Sequence, residues 1–148
     1  GGGGALDGRF VSWDLRHSFA GMYLVALVVS LEVAEHLPPK RAESFVADLC
    51  AVAPDVLFSA AIPGQGGTGH VNEQPLGYWV DLFQSHGYAV SGAVRWAIWD
   101  DPRVENWYKA NTLVASRRPE AYPALFDTPL APPWQVVHPV LFNARRPQ

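Results

Sequence analysis

The stretch from Leu24 to Leu31 is a nearly unbroken apolar run, rich in valine, that stops abruptly at Glu32. It lacks the alternation of a strand with one face in water. Such a run is the pattern of a strand buried on both faces, as in parallel sheets covered by helices. It is far too short to cross a bilayer, which takes about 20 apolar residues. A second buried strand reads over Asp55 to Ile62 and is ended by Pro63-Gly64. Between the two, Arg41 to Ala53 sets Phe45, Val46, Leu49 and Val52 along one helical stripe. Strand, helix and strand in that order point to an α/β layered sheet.

The rest of the chain extends this pattern. Phe10 to Leu15 alternates and is halted by Asp14, as a short first strand would be. Gln65 to Pro75, with Gly66-Gly67-Thr68-Gly69, can only be a loop. Gly77 to His86 reads as a helix with Trp79, Leu82 and Phe83 inward and Gly87 as its C-terminal cap. Tyr88 to Trp99 alternates as a long strand, Val104 to Lys109 makes a helical turn or two, and Asn111 to Ser116 is a last strand. The last two strands are joined by too little chain for an ordinary crossover helix, so they should be antiparallel. Residues 1–9 read as a flexible lead, 10–118 as one domain, and 119–148 as a proline-rich tail laid over the surface in extended form.

Hydrophobic residues make up 49% of the 148 and charged residues 17%, enough to bury a real core. The net charge of −3 and the scattered Lys40–Arg41, Arg117–Arg118 and Arg145–Arg146 pairs argue against holding nucleic acid by bulk electrostatics. Cys50 is the only cysteine, so no internal disulfide forms, and its helical setting makes it a small core side chain. Neither a signal peptide nor a membrane span is read, and a soluble cytoplasmic protein is the expectation.

In open α/β sheets ligands bind beyond the carboxyl ends of the strands. Asp14, Glu32 and Pro63-Gly64-Gln65 stand at three such ends, though Asp14 taken alone also suits a turn. Glu32, Glu35 and His36 lie at i, i+3 and i+4, so on a helical turn they share one face. His70, in the glycine-rich loop after the next strand, can swing to the same rim. Two carboxylates and two imidazoles suit a divalent metal, and with no thiolate among them Mg²⁺, Mn²⁺ or Fe²⁺ fits better than structural zinc. The competing reading has Glu35 and His36 only capping and solvating a short helix. Trp96, Trp99, Trp107 and Tyr108 offer either a platform for a planar or sugar substrate or plain sheet cover. His138 reads as a surface or tail-docking residue.

The run Val28 to Pro38, which contains Ser30-Leu31-Glu32-Val33-Ala34-Glu35-His36-Leu37-Pro38, resembles the fourth-strand motif of class I S-adenosylmethionine-dependent methyltransferases. Val56 to Gly64 is similar to their fifth strand. Tyr78-Trp79, Leu82-Phe83 and Gly87-Tyr88 resemble their next helix and sixth strand, and Asn111-Thr112-Leu113 the start of an antiparallel seventh. The resemblance covers roughly residues 10 to 116. It implies a Rossmann-like methyltransferase sheet, N-terminally truncated, with an antiparallel last strand. It implies methyl transfer from S-adenosylmethionine to a small-molecule hydroxyl. Asp14 would accept the adenine amino group, Leu15 would supply the adjacent backbone amide, and Leu31 and Glu32 would lie under the methionine and sulfonium end.

The metal set Glu32, Glu35, His36 and His70 resembles that of small-RNA 2′-O-methyltransferases, and in part that of ubiquinone-pathway O-methyltransferases, where the metal orients the acceptor hydroxyls. Two features depart from the family. Gly1 to Gly4 have neither a strand before them nor a helix after, so they do not make a glycine-rich cofactor loop. Tyr23 to Leu27 stands where the fourth strand usually opens with an aromatic–Asp pair. S-adenosylmethionine is therefore expected to bind no better than the millimolar range. A sheet cut short would expose an edge that self-associates or docks a partner. The alternative reading is a truncated, non-catalytic methyltransferase-like module that binds a partner.

Overall fold

The computed structural model describes residues 12–21, 24–127 and 138. Residues 1–11, which include Gly1–Gly4 and the start of the expected first strand, lie outside the described residues. So do 128–137 and 139–148, most of the expected tail. Four strands form one mixed sheet: β1 (Leu27–Leu31), β2 (Asp55–Ser59), β3 (Ala89–Ser91) and β4 (Leu113–Ser116). Its order is β1-β2-β4-β3. β1 and β2 are parallel, with Leu31 opposite Ser59. β4 runs antiparallel to both β2 and β3, as expected, although the connection is not short: residues 92–112, with two helices among them, lie between β3 and β4.

Helix α1 (Ala42–Val52) joins the parallel pair, and α2 (Leu76–Ser85) leads into β3. Phe45 and Val46 of α1, Trp79 and Phe83 of α2, and Val56 and Phe58 of β2 are buried together. Phe58 is the hub, with ring centroids 5.3 Å from both Trp79 and Phe83. Each such side chain contributes about 1.5–3 kcal/mol by leaving water, so this cluster is the main hold between helices and sheet.

Helix α2 ends as its sequence requires. Gly87 takes φ +79°, its N–H donates to the Gln84 carbonyl, and the Tyr88 N–H reaches back to the Phe83 carbonyl. This is a Schellman closure, completed by the Phe83–Tyr88 ring contact at 6.2 Å.

Several elements differ from the sequence reading. Residues 12–17 form a turn, not a strand: the His17 N–H donates to the Asp14 carbonyl, and the Asp14 carboxylate takes the Arg16 N–H. A short acidic side chain that captures a nearby amide competes with strand pairing. β1 begins only at Leu27 and is not buried on both faces, because it is the edge of the described sheet and leaves Leu27 52% and Val29 58% exposed. β2 stops at Ser59 and turns at Ile62–Gln65. The long strand expected over Tyr88–Trp99 is the short β3 followed by α3 (Ala93–Ile98). The Ser91 hydroxyl takes the Ala93 N–H at 3.1 Å and turns the chain into that helix.

Helix α4 (Asn106–Asn111) runs through Asn111, so the last strand starts two residues later than the alternation suggests. The chain over 119–127 is not extended. Pro119 opens a 3-10 turn and Pro123 opens α5 (Pro123–Phe126), positions where a missing N–H removes no helical bond. Asp55, at the start of β2, ties this segment down. It accepts the Ser116 hydroxyl at 2.6 Å, both Arg118 Nε and Nη2 (3.0 and 2.6 Å), and the Tyr122 hydroxyl at 2.7 Å.

Candidate metal centre

The parallel pair ends side by side at Leu31 and Ser59, and the chain leaves β1 by an unusual step. Glu32 is the one non-glycine residue with positive φ among those described, at 52°. Its N–H donates to the Ser59 carbonyl and hydroxyl, each at 3.0 Å. Left-handed backbone at a residue with a side chain costs about 1–3 kcal/mol and concentrates at functional sites. The step delivers the chain into a 3-10 turn over Ala34–His36. Ala34 packs into the core, which turns the fully buried Glu35 inward and leaves His36 at the surface.

The loop after β2 is fastened to this turn by main-chain bonds. The N–H groups of Val71 and Asn72 both donate to the Glu35 carbonyl, at 2.9 and 3.0 Å. His70 is thereby set against the turn, its ring 4.8 Å from that of His36 and its Nε2 3.9 Å from Glu35 Oε1. One ligand atom each from Glu35, His36 and His70 fits within 4.8 Å of the others. Gly67 leaves room for this ring, since a Cβ there would stand 2.4 Å from His70 Cε1 and Nε2.

The hydrogen bonds also assign the imidazole protons. His36 Nδ1 lies 3.3 Å from the Gly69 carbonyl, which can only accept, so Nδ1 carries the proton. His70 Nδ1 lies 2.8 Å from Glu73 Oε1. Burial pulls the Glu73 carboxyl up, but the hydrogen bonds from His70 and the Gly64 and Gly66 amides outweigh it and hold the group below the usual carboxylate range. An ionised Glu73 makes His70 Nδ1 a donor too. Both rings, when neutral, keep their Nε2 lone pairs for another partner.

Glu35 is what such a partner would meet. Among the described residues, neither of its side-chain oxygens takes a hydrogen bond from another residue. Burial pushes its carboxyl above the ordinary range, and the neighbouring charge of Glu32 adds to this against the opposing pull of its backbone and the two imidazoles. Glu32 itself stands apart from the trio. Its Oε2 accepts the Gln65 side-chain amide at 3.0 Å, and its Oε1 is buried without a donor among the described residues. Glu32, Glu35, His36, Gln65, Gly66, His70 and Trp107 line a single cleft of about 310 Å³. Of the residues expected to bind metal, three bring one candidate ligand atom each within 4.8 Å of the others, while Glu32 faces the same cleft as a hydrogen-bonded wall.

The expected cofactor residues do not gather there. Asp14 is an exposed turn residue in a forked ion pair with Arg16 at 2.6 Å, which lowers its carboxyl to about 2. The Leu15 carbonyl accepts Arg41 Nε at 3.1 Å, and Arg41 in turn pairs with Asp48. Neither Asp14 nor Leu15 lines the cleft, whereas Leu31 closes β1 directly before Glu32. Trp107 joins the cleft wall. Trp96 packs on Trp99 at 5.1 Å and Trp99 on His138 at 4.8 Å, a separate cluster.

Two participants were not read from the sequence. Glu73 stands three residues after His70, a spacing that would have found it. Asn111 donates to Gln65 Oε1 at 2.7 Å from 46 residues away, and no local pattern announces that. No family model, curated protein or solved structure matches the chain.

Proposed function

We propose that this chain is part of a Rossmann-like, class I S-adenosylmethionine-dependent methyltransferase domain that uses a divalent metal to methylate a hydroxyl of a small molecule. The observation that carries the reading is the Glu35 carboxylate, which takes no hydrogen bond from another described residue, with His70 Nε2 3.9 Å away and a ring nitrogen of His36 within 4.8 Å, at the carboxyl end of a parallel strand pair. A buried, ionised carboxylate without a donor is costly unless a cation or a proton neutralises it. The donor set of one carboxylate and two imidazoles, with no thiolate, suits Mg²⁺, Mn²⁺ or Fe²⁺.

Glu35, His36 and His70 would hold the metal. A divalent cation bound there would supply a Lewis acid that orients the acceptor hydroxyl and lowers its pKa. The chain's own part is positional. The methyl transfer is an in-line displacement, limited mainly by how well donor and acceptor are aligned. Trp107 and the Gln65-held Glu32 shape the cleft that would receive the acceptor. The antiparallel β4, set between β2 and β3, agrees with the closing strand that the resemblance implies.

A second reading, a non-catalytic docking module, is favoured by one observation, the exposed apolar side chains of Leu27 and Val29 on the edge strand. Methyl transfer from labelled S-adenosylmethionine to a panel of hydroxylated small molecules separates the two. Metal-dependent transfer that is lost in Glu35→Gln supports the enzyme. Transfer undiminished by that substitution, or an unaltered chain that takes up no Mn²⁺, would sink the metal-assisted reading.

A further inference from the structure

The geometry points to Glu73 as the positioning residue that aims His70 at the metal, by occupying its Nδ1–H and leaving Nε2 as the only lone pair the ring offers. The inference rests on the reading of Glu35, His36 and His70 as a metal site. Glu73 Oε1 accepts the Gly66 N–H at 2.8 Å and lies 2.8 Å from His70 Nδ1, while Oε2 accepts the Gly64 N–H at 2.8 Å. Both carboxylate oxygens are already acceptors of backbone amides, so the imidazole nitrogen facing them must donate. A neutral ring that donates through Nδ1 presents its lone pair at Nε2, and Nε2 is the atom that faces Glu35 at 3.9 Å.

One carboxylate thus sets three things together: the path of the glycine-rich loop through Gly64 and Gly66, the rotation of the His70 ring, and its tautomer. Ligating histidines are generally held in this way by a carboxylate or carbonyl, and loss of that partner weakens metal binding about 10- to 100-fold. His36 has the weaker form of the same device, a carbonyl from Gly69 at 3.3 Å. The ionised partner at His70 makes it the more firmly oriented of the two rings.

The test uses the full chain, ¹⁵N-labelled at histidine, with two readouts. Long-range ¹H–¹⁵N correlation in the metal-free chain reports which nitrogen of His70 carries the proton, and calorimetric titration with Mn²⁺ reports affinity. The unaltered chain should show His70 protonated at Nδ1. Glu73→Gln, with one acceptor oxygen in place of two, should give a mixture of tautomers and an Mn²⁺ affinity lower by about 10- to 100-fold. Glu73→Asp keeps the charge but retracts it by one methylene. It should lose less, and it carries the test if the Gln variant does not fold. His70 protonated at Nε2 in the unaltered chain overturns the proposal, as does an unchanged tautomer with Mn²⁺ affinity within about twofold in the folded variants. A tautomer that shifts on substitution, in a chain that takes up no Mn²⁺ even unaltered, overturns the metal reading alone.

Discussion

Glu35 is the residue on which the site turns, because its side chain is a liability to the fold unless something occupies the cleft. It is fully buried, its oxygens take no hydrogen bond from another described residue, and its carboxyl is pushed up first of all by burial. A group whose folded pKa is raised destabilises the fold above that pKa and stops doing so once protonated. Glu35→Gln should therefore raise the melting temperature of the metal-free chain at neutral pH. About 2–4 °C is expected, the shift that about 1 kcal/mol makes at this size. The gain should shrink as pH falls through the raised pKa, where the native side chain is itself neutral. The same variant should lose Mn²⁺ binding. A melting temperature that falls at neutral pH would mean that Glu35 serves packing, not a ligand.

At this scale much of the site was legible. The i, i+3, i+4 spacing of Glu32, Glu35 and His36 and a histidine in the next glycine-rich loop were enough to group them. The spacing did not reveal that Glu32 takes positive φ and binds Gln65 while the other three converge.

Among the elements, those with a strong local signal were readable and those decided by one side chain were not. Helix α2 announced itself by its inward Trp79 and Phe83 and by Gly87. β3 gave way to α3 because the Ser91 hydroxyl caught an amide, which periodicity cannot register. The segment over 119–127 folds into short turns because its prolines stand at first-turn positions and because Asp55 reaches it. Burial pulls the Asp55 carboxyl up, yet the hydrogen bonds from Arg118, Ser116 and Tyr122 outweigh that and hold it below the ordinary range. A depressed carboxylate contributes stability above its unfolded pKa of about 3.9 and loses it as pH falls through the folded value. This clamp should thus be intact at neutral pH and released in acid below about pH 4. Asp55→Asn should cost about 1–3 kcal/mol in urea unfolding at pH 7 and less at pH 3. An equal cost at both pH values would show that the charge is not what holds the segment. An amide exchange rate at Arg118 that stays slow in the variant would argue the same.

For the molecule as a whole, the decisive feature is the edge of the sheet. β1 was legible as a strand from its valine-rich run, but its burial was not, because burial depends on what lies beside it. Among the described residues nothing pairs with its outer side, and Leu27 and Val29 stand more than half exposed, with Leu24 at 86% just before them. Next to this edge an apolar groove of about 280 Å³ is floored by Leu27, Leu57, Val114 and Leu125. An edge strand usually guards itself with a charge, a proline or a bulge, and Leu27–Leu31 carries neither charge nor proline. An edge strand that no described residue pairs, beside an apolar surface, is a template for another strand. The 148-residue chain should therefore associate with itself, seen as a weight-average mass that rises with concentration in sedimentation equilibrium. Val29→Lys places a charge in the middle of that edge, on a side chain already 58% exposed, so it should leave the core intact and restore the monomer. Mn²⁺ binding should survive the substitution, since Val29 does not line the metal cleft. A chain that sediments as a monomer across a wide concentration range would remove the edge as a surface for self-association, while leaving the metal cleft untouched.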